Sequence, residues 1–469
     1  LSLTGADGPK IRLATVLPMV MLSEESIQDV RDRLKKRLEE LLQKDLKIGD
    51  PLSEIGYTNF LLAYHGRNDR ELQTLIADLY LKACPALSYV APHCKEREAP
   101  SADRRIRIGF ISRFLKNHSI GKTSRGIIEH LSRQKFEVVA IFLDAPADAT
   151  SKKIAEIADK VLVLPGTLRA AQECLAREKL DILFYQDTGM DAFTYFLAFS
   201  RLAPVQCTSF GHPVTTGIPN LDYYISTDFW EPIGAQSHYS EKLALLRDVA
   251  SVAYYYKPTI PEILKPRSYF GLNEDDHIYL CPQTLFKVHP DFDEAIAGIL
   301  RADPDGRLVF IEGKHKYWSQ LLLERFQSSI SDAVDRICFL PQQRGADFIN
   351  LIAVSDVMLD THHFCGFNTS LEGLAAGIPV VTLPGTFMRS RHTMSLYRKM
   401  GYMDCVAEDM EDYINKALKL GTEPEYRTQV SRKILEKQRC LWEEIRVVRE
   451  FERVFREMTG DPQTEAGLS

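Results

Sequence analysis

A histidine, a lysine and one polar run are the residues of this 469-residue sequence whose types and spacing could do chemistry. His118 lies in "KNHSIGKTS" (116–124), after the apolar run "RIRIGFIS" and before the helical run "RGIIEHLSRQ". Strand, loop ending in Gly-Lys-Thr, then helix is the order of a phosphate-binding P-loop. That loop needs G-x-x-x-x-G-K-[ST], because the first glycine lets the backbone wrap its N–H groups around a phosphate. Lys116 occupies the place of that glycine, which argues against nucleotide hydrolysis here. What remains is Asn117-His118 at the carboxyl end of a strand. A histidine there can accept or orient a proton near neutral pH, or make an ordinary loop hydrogen bond.

The phosphate signal comes later. "LDTHHFCGFNTSLEGLAAGIPVVTLPG" (359–385) reads as strand, loop, helix, strand. Gly366 relieves the turn, and Asn368, Thr369 and Ser370 fall at a helix start, where free N–H groups and the helix dipole favour an anion. Glu372, one turn on, could accept hydrogen bonds from ribose hydroxyls. The same residues also read as an Asn/Thr N-cap with a first-turn acid. Lys287, in "CPQTLFKVHPDFDEA" (281–295), follows a strand end. From there its ammonium could steady a departing nucleoside diphosphate, or simply be solvated. Asp291-Phe-Asp293 imitates a D-x-D metal motif but falls in a helix first turn, so it is expected to cap that helix, and no metal is expected.

Three regions and a tail must position these groups. Region one, 1–103, holds two amphipathic helices, "SEESIQDVRDRLKKRLEELLQ", with Ser23 as N-cap, and "DRELQTLIADLYLKAC", and ends in a linker at "CKEREAPSADRR". Region two, 104–255, alternates the strands "RIRIGFIS", "FEVVAIFL", "KVLVLP", "DILFYQ" and "VQCTSFG" with helical stretches. Region three, 256–435, repeats the scheme with "HIYLCPQ", "RLVFIEG", "RICFLPQ", "DVMLDT" and "PVVTLPG". The alternation predicts two doubly wound, Rossmann-like α/β domains with parallel sheets facing a cleft, preceded by a small mainly helical region. One long helix running through "YRTQVSRKILEKQRCLWEEIRVVREFERVFREM" is expected to close the chain, leaving 436–469 as closing helix and disordered tail.

Composition narrows the function classes. A net charge of −6 with 45% hydrophobic and 26% charged residues describes an ordinary globular chain too large for one core. Intermixed signs give no basic field for nucleic acid. Nine cysteines without C-x-x-C pairs read as reduced thiols of a cytoplasmic protein. No run of about 18 apolar residues predicts a membrane span. The start "LSLTGADGPK" has no methionine and no signal pattern, as in a trimmed chain.

"NHSIGK", "RLAPVQCTSFGHPVTTGIPNLDYYIS", "SHYSEKL", "CPQTLFKVHPDFD" and "DTHHFCGFNTSLEGLAAGIPVVTLPG", in that order, resemble glycosyltransferase family 41, the O-linked N-acetylglucosamine transferase and SPINDLY-like group. The resemblance covers roughly 104–435, with region one similar to the segment joining helical repeats to the core in bacterial members; the tetratricopeptide repeats are absent. It implies a GT-B fold and inverting, metal-independent transfer from a nucleotide sugar to a protein side chain, without a cofactor. UDP-N-acetylglucosamine and Ser/Thr are the first expectation. GDP-fucose, UDP-glucose with Asn as acceptor, a sugar-nucleotide epimerase and a non-catalytic protein-binding module are the alternatives. By resemblance His118 matches an active-site histidine, and Lys287 the essential lysine at the diphosphate. His212 and Pro213 match a Gly-Tyr-Pro loop with His in place of Tyr. Asn368 and Thr369 match a phosphate-binding Thr pair, Phe367 replaces a histidine beside them, and Glu372 replaces a ribose-binding aspartate. A nucleoside-contacting lysine and histidine fall on Gly345 and Phe348, of which Phe348 could stack on a base. A donor-contacting glutamine falls on Thr284, with Gln283 adjacent, and either could take that role.

Overall fold

The computed structural model describes residues 7–95 and 104–460. The linker "CKEREAPSADRR" and the tail "TGDPQTEAGLS" lie largely outside the described residues. Apolar runs, buried on both faces except in the edge strands, form two all-parallel sheets, as expected of strands covered by helices. The first contains β1 (Ile106–Ser112), β2 (Phe136–Phe142), β3 (Lys160–Val163), β4 (Ile182–Tyr185), β5 (Val205–Thr208), β6 (Tyr223–Thr227) and β7 (Lys242–Leu246), in the order β3-β2-β1-β4-β5-β6-β7. The five expected strands are all present, and β6 and β7 extend the sheet by two. The second contains β8 (His277–Cys281), β9 (Gly306–Ile311), β10 (Ile337–Leu340), β11 (Val357–Leu359) and β12 (Val380–Val381), in the order β10-β9-β8-β11-β12. The winding reverses beside β1 and beside β8, so the β1/β4 and β8/β11 pairs are the switch points where loops diverge and a ligand can enter.

The helical region is built onto the first sheet. Helix Glu24–Leu42 starts at Ser23, whose Oγ accepts the Ser26 N–H at 3.1 Å while Ser26 Oγ accepts the Ser23 N–H at 3.0 Å. Its Leu34, Leu38 and Leu41 share one core with Leu72, Ile76 and Tyr80 of helix Arg70–Ala83, and with Leu183, Tyr185 and Phe196 of the first lobe. Asp69, fully buried, binds Arg31 at 2.7 Å and lies 3.4 Å from Arg389, which ties the region to the second lobe as well.

The closing helix is not continuous as expected. It divides into Pro424–Lys437 and Ile445–Thr459, with Glu443 at φ 53 between them. The two halves serve different lobes. Val430 and Ile434 pack with the second, whereas Phe451 and Phe455 reach Phe184, Phe110 and Phe136 of the first sheet. One straight rod could not cover both. No helix among the described residues is long and apolar enough to cross a membrane.

Candidate active site

Loops leaving the carboxyl ends of β1, β4, β5, β8 and β11 converge on one cleft of about 390 Å³ between the lobes. That is the size range of small-molecule sites. The second-lobe wall holds Gln283, Thr284, Lys287, Phe367, Asn368 and Thr369, and the first-lobe wall holds His118, His212 and Pro213.

Lys287 ends a short turn after β8. Its Nζ donates to Gln283 Oε1 at 2.9 Å and to the Cys365 carbonyl at 3.0 Å, and sits 4.5 Å from the Phe364 ring centroid. Burial lowers its pKa from the ordinary lysine value. An ammonium has three donors, so one remains for a ligand. Gln283, not Thr284, is the built-in partner: its amide also donates to Thr369 Oγ1 at 2.8 Å, while Thr284 is exposed at the rim. Gly366 passes beneath this bridge, where an added Cβ would stand 2.4 Å from both Gln283 Nε2 and Thr369 Oγ1.

Helix Asn368–Ala376 begins at Phe367 without any side-chain cap, so the Asn/Thr cap reading is corrected. Thr369 is turned to Gln283, and Asn368 Oδ1 is buried without a partner. The first N–H groups of this helix have no intrahelical acceptor, and Asn368 and Thr369, which carry two of them, line the cleft. Ser370 departs from expectation: its hydroxyl is buried against Thr393 Oγ1 at 2.8 Å, leaving only its main chain for a ligand.

On the opposite wall His118 caps helix Ser119–His130, its Nδ1 accepting the Ile120 N–H at 3.2 Å and its ring stacking on Phe114. Burial, with Lys116 and Lys122 adding repulsion, lowers its pKa to about 4. Because Nδ1 is the acceptor, the neutral ring carries its proton on Nε2 and offers the cleft a donor. His212 is buried, stacked on Phe60 at 4.9 Å, with both ring nitrogens unpartnered and its pKa lowered by burial to about 3. Gly211 is required before it, since a Cβ there would lie 1.8 Å from the Gln186 carbonyl oxygen.

Three expectations find other partners. Glu372 is buried and bound by Lys122 of the first lobe at 2.9 Å, a bond across the cleft where a ribose contact was expected. Phe348 packs against the core from helix Ala346–Ala353 and does not line the cleft. Asp291 and Asp293 do not cap their helix: Asp291 binds His363 at 2.8 Å and Asp293 pairs with buried Arg325 at 2.6 Å. Sequence reasoning missed Phe60 and Tyr64, which reach the cleft from region one, along with Phe286, Phe364 and His392. The Asn-Phe-x-x-x-Tyr spacing at 59–64 puts two aromatics on one helical face and was the available signal. His392 is buried, its Nε2 has no partner, and burial lowers its pKa to about 3.

The glycosyl transferase family 41 model matches residues 61–257 and 256–444. The "probable UDP-N-acetylglucosamine–peptide N-acetylglucosaminyltransferase SEC" of Arabidopsis thaliana is 26% identical over 326 residues, covering 68% of this chain and 33% of that protein. The similarly named SPINDLY protein of Oryza sativa subsp. japonica is 28% identical over 341 residues, covering 69% and 35%. The chain thus spans about a third of the length of the curated relatives it matches. A mutant of the Thermobaculum terrenum O-GlcNAc transferase shares the fold, with TM-score 0.73 and 24% identity over 95% of this chain and 86% of that one. Sucrose-phosphate synthase from Thermosynechococcus elongatus matches with TM-score 0.51 and 12% identity, over 76% of this chain and 100% of that one. The fold is therefore GT-B, and the chain belongs to glycosyl transferase family 41.

Proposed function

We propose that this chain moves N-acetylglucosamine from UDP-N-acetylglucosamine to serine and threonine side chains of acceptor proteins, with inversion and with no metal in the transfer step. The observation that carries the reading is Lys287, held by two acceptors with one donor free beside the open helix start at Asn368. A diphosphate seated there has its leaving charge offset by the ammonium and by the helix dipole. The acceptor hydroxyl, approaching from the first-lobe wall, forms the new C–O bond as the sugar–phosphate bond breaks on the other side, which inverts the anomeric carbon, and its O–H proton passes to a phosphate oxygen of the departing diphosphate. None of the described residues lining the cleft is a carboxylate, so the cation's place is taken by Lys287. His118, with Nδ1 taken by the Ile120 N–H, carries its proton on Nε2 and orients the acceptor or the sugar as a hydrogen-bond donor. The names of the relatives support the donor and the peptide acceptor. Nine free thiols support a reducing, cytoplasmic setting.

Intact-mass analysis of candidate acceptor proteins, incubated with UDP-N-acetylglucosamine, UDP-glucose or GDP-fucose, tests this. An N-acetylhexosamine increment on Ser or Thr is expected. A deoxyhexose increment from GDP-fucose makes the chain a SPINDLY-like fucosyltransferase, a hexose on Asn makes it an N-glycosyltransferase, and no increment from any donor overturns transfer altogether.

A further inference from the structure

Outside the cleft, four side chains able to ligate a cation converge where the helical region meets the second lobe. Glu24 opens helix Glu24–Leu42, His289 and Asp291 follow β8, and His363 follows β11. One ligand atom from each lies within 4.8 Å of all the others. His289 Nε2 is 3.3 Å from Glu24 Oε1, and His363 Nε2 is 2.8 Å from Asp291 Oδ2. Glu24 Oε1 and His289 Nε2 are buried without a hydrogen-bond partner, and His289 is only 2% exposed. Arg67 occupies the other oxygen of Glu24, which leaves Oε1 facing the histidine. Two unpartnered polar atoms held face to face each carry the desolvation cost of a missing hydrogen bond. A shared cation removes that cost for both.

The geometry points to a divalent transition-metal site, best suited to Zn²⁺, formed by Glu24, His289, Asp291 and His363. Two imidazole nitrogens with two carboxylate oxygens suit zinc, whereas Ca²⁺ and Mg²⁺ select oxygen alone. Tetrahedral bonds of about 2.0–2.1 Å put ligand atoms about 3.4 Å apart. The His289–Glu24 separation of 3.3 Å already has that length, and the His363–Asp291 pair has to open from 2.8 Å. His289 binds through Nε2. Binding through Nε2 moves the ring proton to Nδ1, which then gives up the bond it accepts from the Asp291 main-chain N–H at 3.2 Å. None of the four lines the cleft. His289 lies two residues after Lys287, and His363 directly precedes Phe364, over which Lys287 sits. The ion would pin both loops to the helical region and take no part in chemistry, so the site stands independently of the transferase reading.

The untagged 469-residue chain, stripped with a chelator, is titrated with Zn²⁺ and separately with Co²⁺. One equivalent of each is expected, with the strong visible absorption of four-coordinate cobalt and a Tm that rises with Zn²⁺. Loss of a supporting group at a metal site costs about 10–100-fold in affinity, so Glu24→Gln and His363→Ala, which remove ligands, are expected to lose at least that. Glu24→Gln keeps the side chain's size at a helix start and decides the matter even if His363→Ala misfolds. Failure of the unaltered chain to bind one equivalent, or unchanged affinity in Glu24→Gln, overturns the site.

Discussion

Replacing Lys287 by Met removes the ammonium and keeps the aliphatic stem over Phe364. In the folded protein that ammonium makes bonds of 2.9 and 3.0 Å to Gln283 and Cys365, which fix it without using its third donor. The third donor and the charge are what a diphosphate would meet. Loss of one preorganised donor to a developing anion costs about 10²–10³ in kcat, or roughly 2.7–4 kcal/mol. The stability change is expected to be small by comparison. Burial already disfavours the charged amine, so deleting it relieves a penalty while it leaves two acceptors unpaired. Turnover is measured at saturating donor by intact mass of the acceptor, with thermal unfolding and calorimetric UDP binding on the same samples. A folded Lys287→Met that turns over within about tenfold of the parent would refute the leaving-group role, because the lower bound of the donor effect is 10².

Four further outcomes follow from the same geometry. The His118 imidazole should titrate near pH 4 by NMR, well under the ordinary 6.5, and a midpoint near 6.5 would deny the burial that lowers it. Since His118, His212 and His392 fold with pKa values lowered to about 4, 3 and 3, each takes up its proton more readily when unfolded, and stability should fall as pH drops below about 6.5 toward 4. Lys122→Met leaves the buried Glu372 carboxylate without its partner and should cost about 1–3 kcal/mol in urea unfolding; an unchanged stability would show that this bond between the lobes contributes nothing. Gly217, at φ +72 with a would-be Cβ 2.3 Å from the Gln73 main chain, should not tolerate Ala without losing more than about 1–2 kcal/mol in urea unfolding, and a neutral Gly217→Ala would deny that loop its close docking on helix Arg70–Ala83.

What the sequence revealed and what it hid divide along a physical line. Of the twelve strands among the described residues, ten read as apolar runs, most of them buried on both faces, although β3 keeps Val161 and Val163 exposed; β6, buried but ending Ser-Thr, was missed. β7 at the sheet edge, with Lys242 exposed and Leu243 and Ala244 half-buried, lacks that signature. The second-lobe wall was legible because a helix start, a glycine and a lysine after a strand are local features. The bond from Lys122 to Glu372 could not be read from sequence because the two lie 250 residues apart. Asp291-Phe-Asp293 looked like first-turn capping for the same reason: the groups that claim those carboxylates, His363 and Arg325, are 72 and 32 residues on.

The helical region is where this matters most, because amphipathic periodicity predicts helices but not what their loops touch. Phe60 and Tyr64 come from the 3₁₀ turn between its helices, and they close the cleft against His212, Phe286 and Phe364. That turn is held by charge as well as by packing. Asp69 is buried between Arg31 of the same region and Arg389 of the second lobe, and Arg389 also donates to the Arg67 carbonyl at 2.6 Å. A buried charge whose partner is removed costs several kcal/mol, so Arg389 cannot give up Asp69 and remain buried. The region therefore forms one wall of the cleft and one half of an ion network, and the two lobes meet around it in the form that brings Lys287 opposite His118.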